Sequence, residues 1–581
     1  MMIGTFSPRE HSLPETRIVS WLILPFLLAL VVLPGVDSEP WPYPMDKRII
    51  GDLLYLANPA YSGKHSGLTF ETVGWESPLL EQAFARYQEI LGDPSFHMEY
   101  EMNVKIPEDL MDPENMIEKV VVYVQSYDQT LDVYTSETYS LRISAPAVVI
   151  EAQTVYGAMR ALETLSQSCH VIRHVDQHDN RHTGHRRRHA RNVIVLNETA
   201  IYDSPRFRHR GILIDTARHY LPLEVIKTHM DAMVMTKMNV LHWHMSDDES
   251  FPYKAHGVPE LADAGAFSRD MQYTEDMVDE IIQYANARGI RVIVEFDTPG
   301  HSGAMAQSHP DIVAMCPGTS PPTLTPAYDP YDVLWRLFRD VSRVFPDRAM
   351  HFGGDEIDVS CWKNDEKTAR WMADVGFGSD VSKAVEHHVQ RIMEFAEAMG
   401  RIPIIYNDLF DMLPKASVVT PPTTIVHVWS PIGSHGWQEQ LKKITKTHRA
   451  ILSAPWYLDH AVHGVDSWRE FWSVDPLEPF SKSGLDQKDR VLGGEVSVWG
   501  EHIDATNAIS STWPLAAAAG ERLWSPSSLQ DIEDATRRMF RIRCRMFARK
   551  IHAAPTQPGE CPLIHTSDET MMNNAPYIVQ R

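Results

Sequence analysis

Two hydrophobic rhythms divide the chain. Up to about residue 200, short apolar runs such as Val120–Val124, Tyr139–Ile143 and Ala147–Ile150 have the length and β-branched content of strands. From Thr154 to Ser166 the spacing changes, and Val155, Met159, Leu162 and Leu165 fall on one helical face. Together these predict a separate α/β unit over residues 39–200. Within it, His170 to Arg191 interleaves histidines with arginines, which reads as a solvated loop open to proteolysis, with metal binding as the alternative.

From Arg210 the pattern is regular. Apolar runs recur at Gly211–Ile214, Val240–His244, Val292–Phe296, Met350–Gly353, Pro403–Tyr406, Ile425–Trp429, Ala450–Ser453 and Gly494–Trp499. Amphipathic stretches lie between several of them, among them Leu223–Thr236, Thr274–Ala287, Tyr331–Val344 and Ser382–Met399. Strands alternating with helices imply a parallel sheet, and eight such units imply a (β/α)8 barrel filling residues 201–581.

A barrel of this kind carries its chemistry at the C-terminal ends of its strands. Those ends hold Asp215 and Arg218, Asp247 and Asp248, Asp297 and His301, Asp355 and Glu356, Asn407 and Asp408, Trp429, then Trp456, Tyr457 and Asp459, and last Trp499 and Glu501, with Trp524 after the following helix. The densest motif is His351-Phe352-Gly353-Gly354-Asp355-Glu356. Two glycines permit close backbone approach, and two adjacent carboxyls can divide the work of acid and anion. Acids accept from hydroxyls and aromatic faces stack on the C–H face of a sugar ring. Both at nearly every strand end point to a carbohydrate pocket.

Composition narrows the setting. The formal net charge of -23 argues against a nucleic-acid partner, whose phosphates attract basic surfaces, and the 28 histidines would charge in an acidic compartment and offset the acids. Arg9 and Arg17 precede an apolar run from Ile18 to Leu33 that ends in small residues. Residues 1–38 therefore read as a secretory leader, with a retained anchor as the alternative, and nothing later is apolar enough to span a bilayer. Asn197-Glu198-Thr199 matches a glycosylation acceptor. Five cysteines in an oxidising compartment predict two bridges, Cys544–Cys561 and Cys316–Cys361, leaving Cys169 over.

Six stretches, read jointly and in order, resemble the β-N-acetylhexosaminidases of glycoside hydrolase family 20, the lysosomal-type branch most closely. They are Arg210–Tyr220, Val240–Asp248, Phe296–His301, His351–Glu356, Ser453–Asp459 and Gly493–Glu501. The first unit, with Val155–Thr164, resembles that family's accessory domain. The resemblance implies an exo-acting, retaining hydrolysis of terminal GlcNAc and GalNAc from glycans, glycoconjugates or chitooligosaccharides, in which the sugar's acetamido oxygen is the nucleophile. It gives Glu356 the role of acid and base, with its pKa raised beside another carboxylate and among tryptophans. Asp355 would hold the acetamido N–H and Tyr457 the acetamido oxygen. Trp429, Trp499 and Trp524 would wall the pocket, with Trp456 also counted among the substrate-binding residues. Arg218, Asp459 and Glu501 would bind ring hydroxyls, and Asp247 and His301 would tune the acid. It implies no metal or other cofactor, a homodimer, and a place in the secretory pathway, either outside the cell or in a lysosome-like organelle. One departure is plain: no cysteine precedes Cys169, so the family's usual bridge in the first unit cannot form.

Overall fold

The computed structural model describes residues 39–563 apart from 59–66, 100–108, 176–189, 317, 319, 328, 414–418, 432–435, 459–466 and 481–484. The leader expected over 1–38 and the centre of the His/Arg segment lie outside the described residues. The first unit is one mixed sheet in the order Thr69–Val73, Lys119–Val124, Ala147–Ala152, Tyr139–Ser144, Ala190–Asp203, Asp46–Leu56 and Met116–Ile117. The expected loop begins instead as strand: His170–Val175 pairs antiparallel with Ala190–Asp203, and His170 is buried. Val171 and Ile172 supply the buried apolar residues that a composition dominated by His and Arg concealed.

Helix Val155–Gln167 starts at Thr154, whose hydroxyl accepts from Gly157 N–H, and it is buried along its whole length. One side packs on the sheet. The other is pinned to the barrel by polar contacts: Arg160 donates to Gly289 O at 2.8 Å and Gln167 to Met235 O at 2.7 Å. Arg210 on the barrel reaches back to Glu137 at 2.6 Å, and Lys237 to Asp203 at 2.7 Å, with all four side chains buried. Charges so placed are costly unless paired, and here each has its partner.

The second unit is a closed parallel barrel of eight strands: His209–Asp215, Val240–His244, Arg291–Glu295, Ala349–His351, Ile402–Tyr406, Ile425–Val428, Arg449–Leu452 and Val491–Val498. The last pairs with the first, Gly493 opposite His209. Helices Leu223–Met235, Glu275–Asn286, Pro330–Val344 and Val381–Ala398 cover it where their spacing predicts. Side chains alternate along a strand, so every second residue faces the barrel axis. Val240, Ile293, Ala349, Ile404, Ile425 and Ile451 form an apolar floor. Two residues further along the same strands come His242, Glu295, His351, Tyr406, His427 and Ser453. The middle of this barrel is therefore polar, where branched aliphatic residues are usual.

Two bridges are formed, Cys316–Cys361 and Cys544–Cys561, and Cys169 is a buried thiol. Asn197 departs from its expected role. It sits within strand Ala190–Asp203 opposite Leu53 and is 4% exposed, so the folded chain offers no room for a glycan there.

Candidate active site

The fourth barrel strand ends at His351, and the backbone then turns through left-handed conformations at Gly353, Gly354 and Glu356, with φ of 67°, 100° and 47°. A Cβ on Gly353 would lie 1.8 Å from Asp297 Oδ1. That contact exists because the Gly354 N–H donates to the same oxygen at 2.7 Å. Glu356 holds the strained conformation without being glycine, a feature that clusters at functional sites. The turn sends the two neighbouring carboxyls different ways. Asp355 is buried in the barrel mouth, while the Glu356 side chain is 62% exposed at its rim. The expected dehydrated acid enclosed by tryptophans is therefore not Glu356.

The dehydrated acid is Asp297. Burial pushes its pKa well up, and the facing Asp355 carboxylate adds to the rise. Asp297 Oδ2 and Asp355 Oδ1 are both buried with no N–H or O–H donor. Of the two carboxyls, Asp297 is the one whose burial favours the protonated form, and in that form it can donate to Asp355.

His301 stands on the other side. Its Nδ1 donates to Asp247 at 3.1 Å, and its Nε2 is 3.7 Å from both Asp355 and Glu356. Burial works against its charge, but Asp355 and Asp247 overcome that and push its pKa up to about 10. It is an imidazolium facing both strand-end carboxyls. Asp247 is buried, which opposes its ionisation, yet hydrogen bonds from His244 and His301 and the charge of Arg218 hold it well below the usual carboxylate range. Arg218 spans the mouth, 2.9 Å from Asp215, 2.8 Å from Asp247, 3.2 Å from Glu249 and 3.8 Å from Glu501.

Among the aromatics, Trp429, Tyr457 and Trp499 form one cluster with Leu213 and Tyr406. Trp429 and Tyr457 lie 6.2 Å apart, and Arg218 lies over the Trp499 ring at 5.2 Å. Tyr406 ends the fifth strand, and its strand-end position is the only sequence signal for its place in this cluster. Trp524 does not join them. It is fully buried against the accessory unit, donating to Asp203 at 3.0 Å beneath Arg210 and Lys237. Trp456 is likewise core, its indole donating to Phe471 O at 3.1 Å. Asp459 lies outside the described residues. The structure thus brings Asp355, Glu356, His301, Asp247, Arg218, Tyr457, Trp429, Trp499 and Glu501 to one mouth and removes two tryptophans from it.

Several donor sets resemble metal sites in composition, including His242 with Glu295 and His351, and Asp297 with His301 and Asp355. In both, the pocket's carboxyls favour a charged histidine. His242 is pushed up to about 9, because Glu495 and Glu295 outweigh its burial, and His301 is likewise charged. A charged imidazole has no lone pair for a metal.

Comparison with known proteins identifies the family. The profile of glycosyl hydrolase family 20, catalytic domain, matches residues 207–527, and that of a β-acetyl hexosaminidase-like domain matches 40–168. Beta-hexosaminidase subunit beta of Homo sapiens is 36% identical over 572 residues, covering 94% of this chain and 96% of that protein. Beta-hexosaminidase subunit alpha of Bos taurus is 34% identical over 547 residues, covering 92% and 97%. In fold, the chain is similar to a chitobiase of Flavobacterium johnsoniae at a TM-score of 0.71, with 23% identity and coverage of 88% of this chain and 73% of that one. A mutant Streptomyces plicatus β-hexosaminidase in complex with GlcNAc gives 0.65, at 19% identity and coverage of 90% and 98%. With the barrel, the accessory unit and the acidic mouth in place, the chain belongs to glycosyl hydrolase family 20 and is a glycoside hydrolase of the β-N-acetylhexosaminidase type.

Proposed function

We propose that the enzyme removes terminal, non-reducing GlcNAc and GalNAc by a retaining reaction in which the substrate's own acetamido oxygen is the nucleophile. The acetamido oxygen forms a bond to the anomeric carbon as the glycosidic C–O bond breaks. Glu356 gives its proton to the departing oxygen. Water then surrenders a proton to Glu356 and adds to the same carbon, reopening the oxazolinium ring. Asp355 accepts from the acetamido N–H and so sharpens the nucleophile, and Tyr457 donates to the acetamido oxygen. Trp429 and Trp499 wall the N-acetyl group. Arg218, Asp459 and Glu501 take the ring hydroxyls.

One observation carries this reading. Asp355 is buried in the mouth between the protonated Asp297 and the charged His301, while Glu356, the next residue, stands open at the rim. A fixed, buried carboxyl oxygen suits an N–H acceptor. An exposed carboxyl suits exchange of a proton with a leaving group and then with water. Glu356→Gln is expected to fold normally and to cut turnover of an aryl β-GlcNAc by two to four orders of magnitude, about the range for a positioned acid. A thiazoline analogue should inhibit, and a 2-fluoro sugar should label no carboxylate; a covalently labelled acid would instead mean an enzyme nucleophile.

The leader and the two bridges support passage through an oxidising compartment to the cell exterior or an acidic organelle. No helix among the described residues is long and apolar enough to cross a membrane. A homodimer follows from the family resemblance, and sedimentation of the purified chain tests it.

A further inference from the structure

The polar middle of the barrel is connected to the active site. His209 Nε2 lies 2.8 Å from Glu495, and the other oxygen of Glu495 lies 2.7 Å from His242 Nδ1. His242 Nε2 is 3.2 Å from Glu295, and Glu295 is 2.7 Å from His244 Nδ1. His244 Nε2 lies 2.8 Å from Asp247, which holds His301 at 3.1 Å. The line ends at Asp355 and Glu356, both 3.7 Å from His301. Apart from the three residues at that end, every member is essentially out of solvent.

Its protonation follows from geometry. A neutral imidazole has one N–H and one lone pair. Both nitrogens of His244 face carboxylate oxygens, so a neutral ring would set a lone pair against a buried anion. His244 is therefore doubly protonated, held so by Glu295 below and Asp247 above. Asp215 adds a third negative charge nearby, and the Trp499 ring packs edge-on at 4.9 Å. Burial opposes the charge, yet these carboxylates hold the pKa well above the ordinary value.

Asp247 Oδ2 is shared between His244 and Arg218, each at 2.8 Å. Arg218 pulls it towards the mouth, where Glu249 and Glu501 also sit. His244 pulls it into the barrel. The balance sets where Asp247 stands, and Asp247 sets where His301 stands.

We propose that His244 and Glu295 are positioning residues for the hydrolysis: anchored in the barrel interior, they hold Asp247 against the pull of Arg218 and so keep His301 against Asp355 and Glu356. Neither touches substrate. Glu295 acts through His244, and His244 through Asp247. The other contacts of Glu295, His351 at 2.9 Å and Tyr406 at 3.3 Å, fix it to two further strands, so the anchor belongs to the barrel and not to a loop. This assignment rests on Glu356 being the acid.

The test uses the full-length enzyme in three variants: His244→Gln, Glu295→Gln and the double variant. The double variant removes one anion and one cation together, and it carries the test if a lone buried charge prevents folding of either single variant. Each is assayed for turnover of an aryl β-GlcNAc across pH and for thiazoline binding. kcat is expected to fall about tenfold or more with KM changed less than about threefold, since misplacing a reacting group costs chemistry more than binding. The alkaline limb of kcat/KM is expected to move up by about half a unit or more, because a cation withdrawn from Glu356 no longer favours loss of its proton. Thiazoline affinity should hold. A fall in kcat with the limb unmoved, or no fall at all, overturns the assignment. Wild-type activity that survives Glu356→Gln would instead sink the mechanism on which it rests.

Discussion

The indole N–H of Trp429 donates to the Asp408 carboxylate at 2.6 Å. Asp408 follows the fifth barrel strand and Trp429 ends the sixth, and Asp408 also accepts from the backbone of Glu356. One carboxyl thus joins the aromatic wall to the main chain of the acid.

That carboxyl titrates in an informative range. Burial first, then Asp355, lifts Asp408 from its ordinary 3.8 to about 6, against the three hydrogen bonds it accepts, from the Trp429 indole and from the backbone of Glu356 and of Asp408 itself. Its folded pKa exceeds its unfolded one, so its contribution to stability is fully present below about pH 4 and is lost as pH rises through 6. Asp408→Asn should therefore melt above wild type at pH 7, by roughly 2 kcal/mol, and converge with it near pH 4. kcat/KM should fall about tenfold, since an amide oxygen is a weaker acceptor than a carboxylate. Thermal melts at the two pH values decide it. Equal differences at both would show that the carboxyl is not held above its usual range.

Asp297 gives a sharper contrast. An asparagine there can still accept from Gly354 N–H and can donate an N–H to Asp355 in place of the carboxyl proton. Asp297→Asn is expected to keep turnover within about fivefold, whereas Asp297→Ala leaves Asp355 buried without a donor and should cost about a hundredfold or more. Comparable losses in both variants would mean that the shared proton itself moves during the reaction.

Gly353 and Gly354 should not respond alike to alanine. At Gly353 the new Cβ meets the Asp297 carboxyl at 1.8 Å, a group fixed by its own hydrogen bonds. At Gly354 it meets the end of the Leu409 side chain at 2.1 Å, which can rotate. Both pay about 1 kcal/mol or more for a left-handed backbone. Gly353→Ala is expected to abolish activity, and Gly354→Ala to retain a measurable fraction. Steady-state rates of the soluble proteins read the difference.

Trp524→Phe tests the removal of that residue from the pocket. It deletes one donor to a buried Asp203 and leaves Lys237, the Tyr139 hydroxyl and the Met45 N–H to hold the carboxylate. Stability should drop by about 1–3 kcal/mol, with KM for the aryl glycoside unchanged. A raised KM with normal stability would return Trp524 to the sugar.

What the sequence alone determined was the barrel and the chemistry of its mouth. Strand periodicity placed all eight strands within a few residues, because buried parallel strands are continuous apolar runs. The residue types at their ends marked out Asp355, Glu356, His301, Asp247 and Arg218. The order along a strand is local, so it can be read locally. What the sequence did not determine was which aromatic residues face the sugar. Trp429 at a strand end and Trp524 at the end of the helix beyond the eighth strand both read as pocket tryptophans, yet one lines the mouth and the other is sealed against a second unit, a distinction set by the docking of that unit on the barrel. Nor did it separate the two carboxyl environments. Asp297 is dehydrated and Glu356 is open because of a turn through two glycines, and the line from His209 to His301 exists only because barrel closure brings the first, second, third and eighth strands within hydrogen-bond reach. Side-chain identity is written along the chain, but burial and proton sharing are properties of distances between strands, and only closing the sheet fixes those distances.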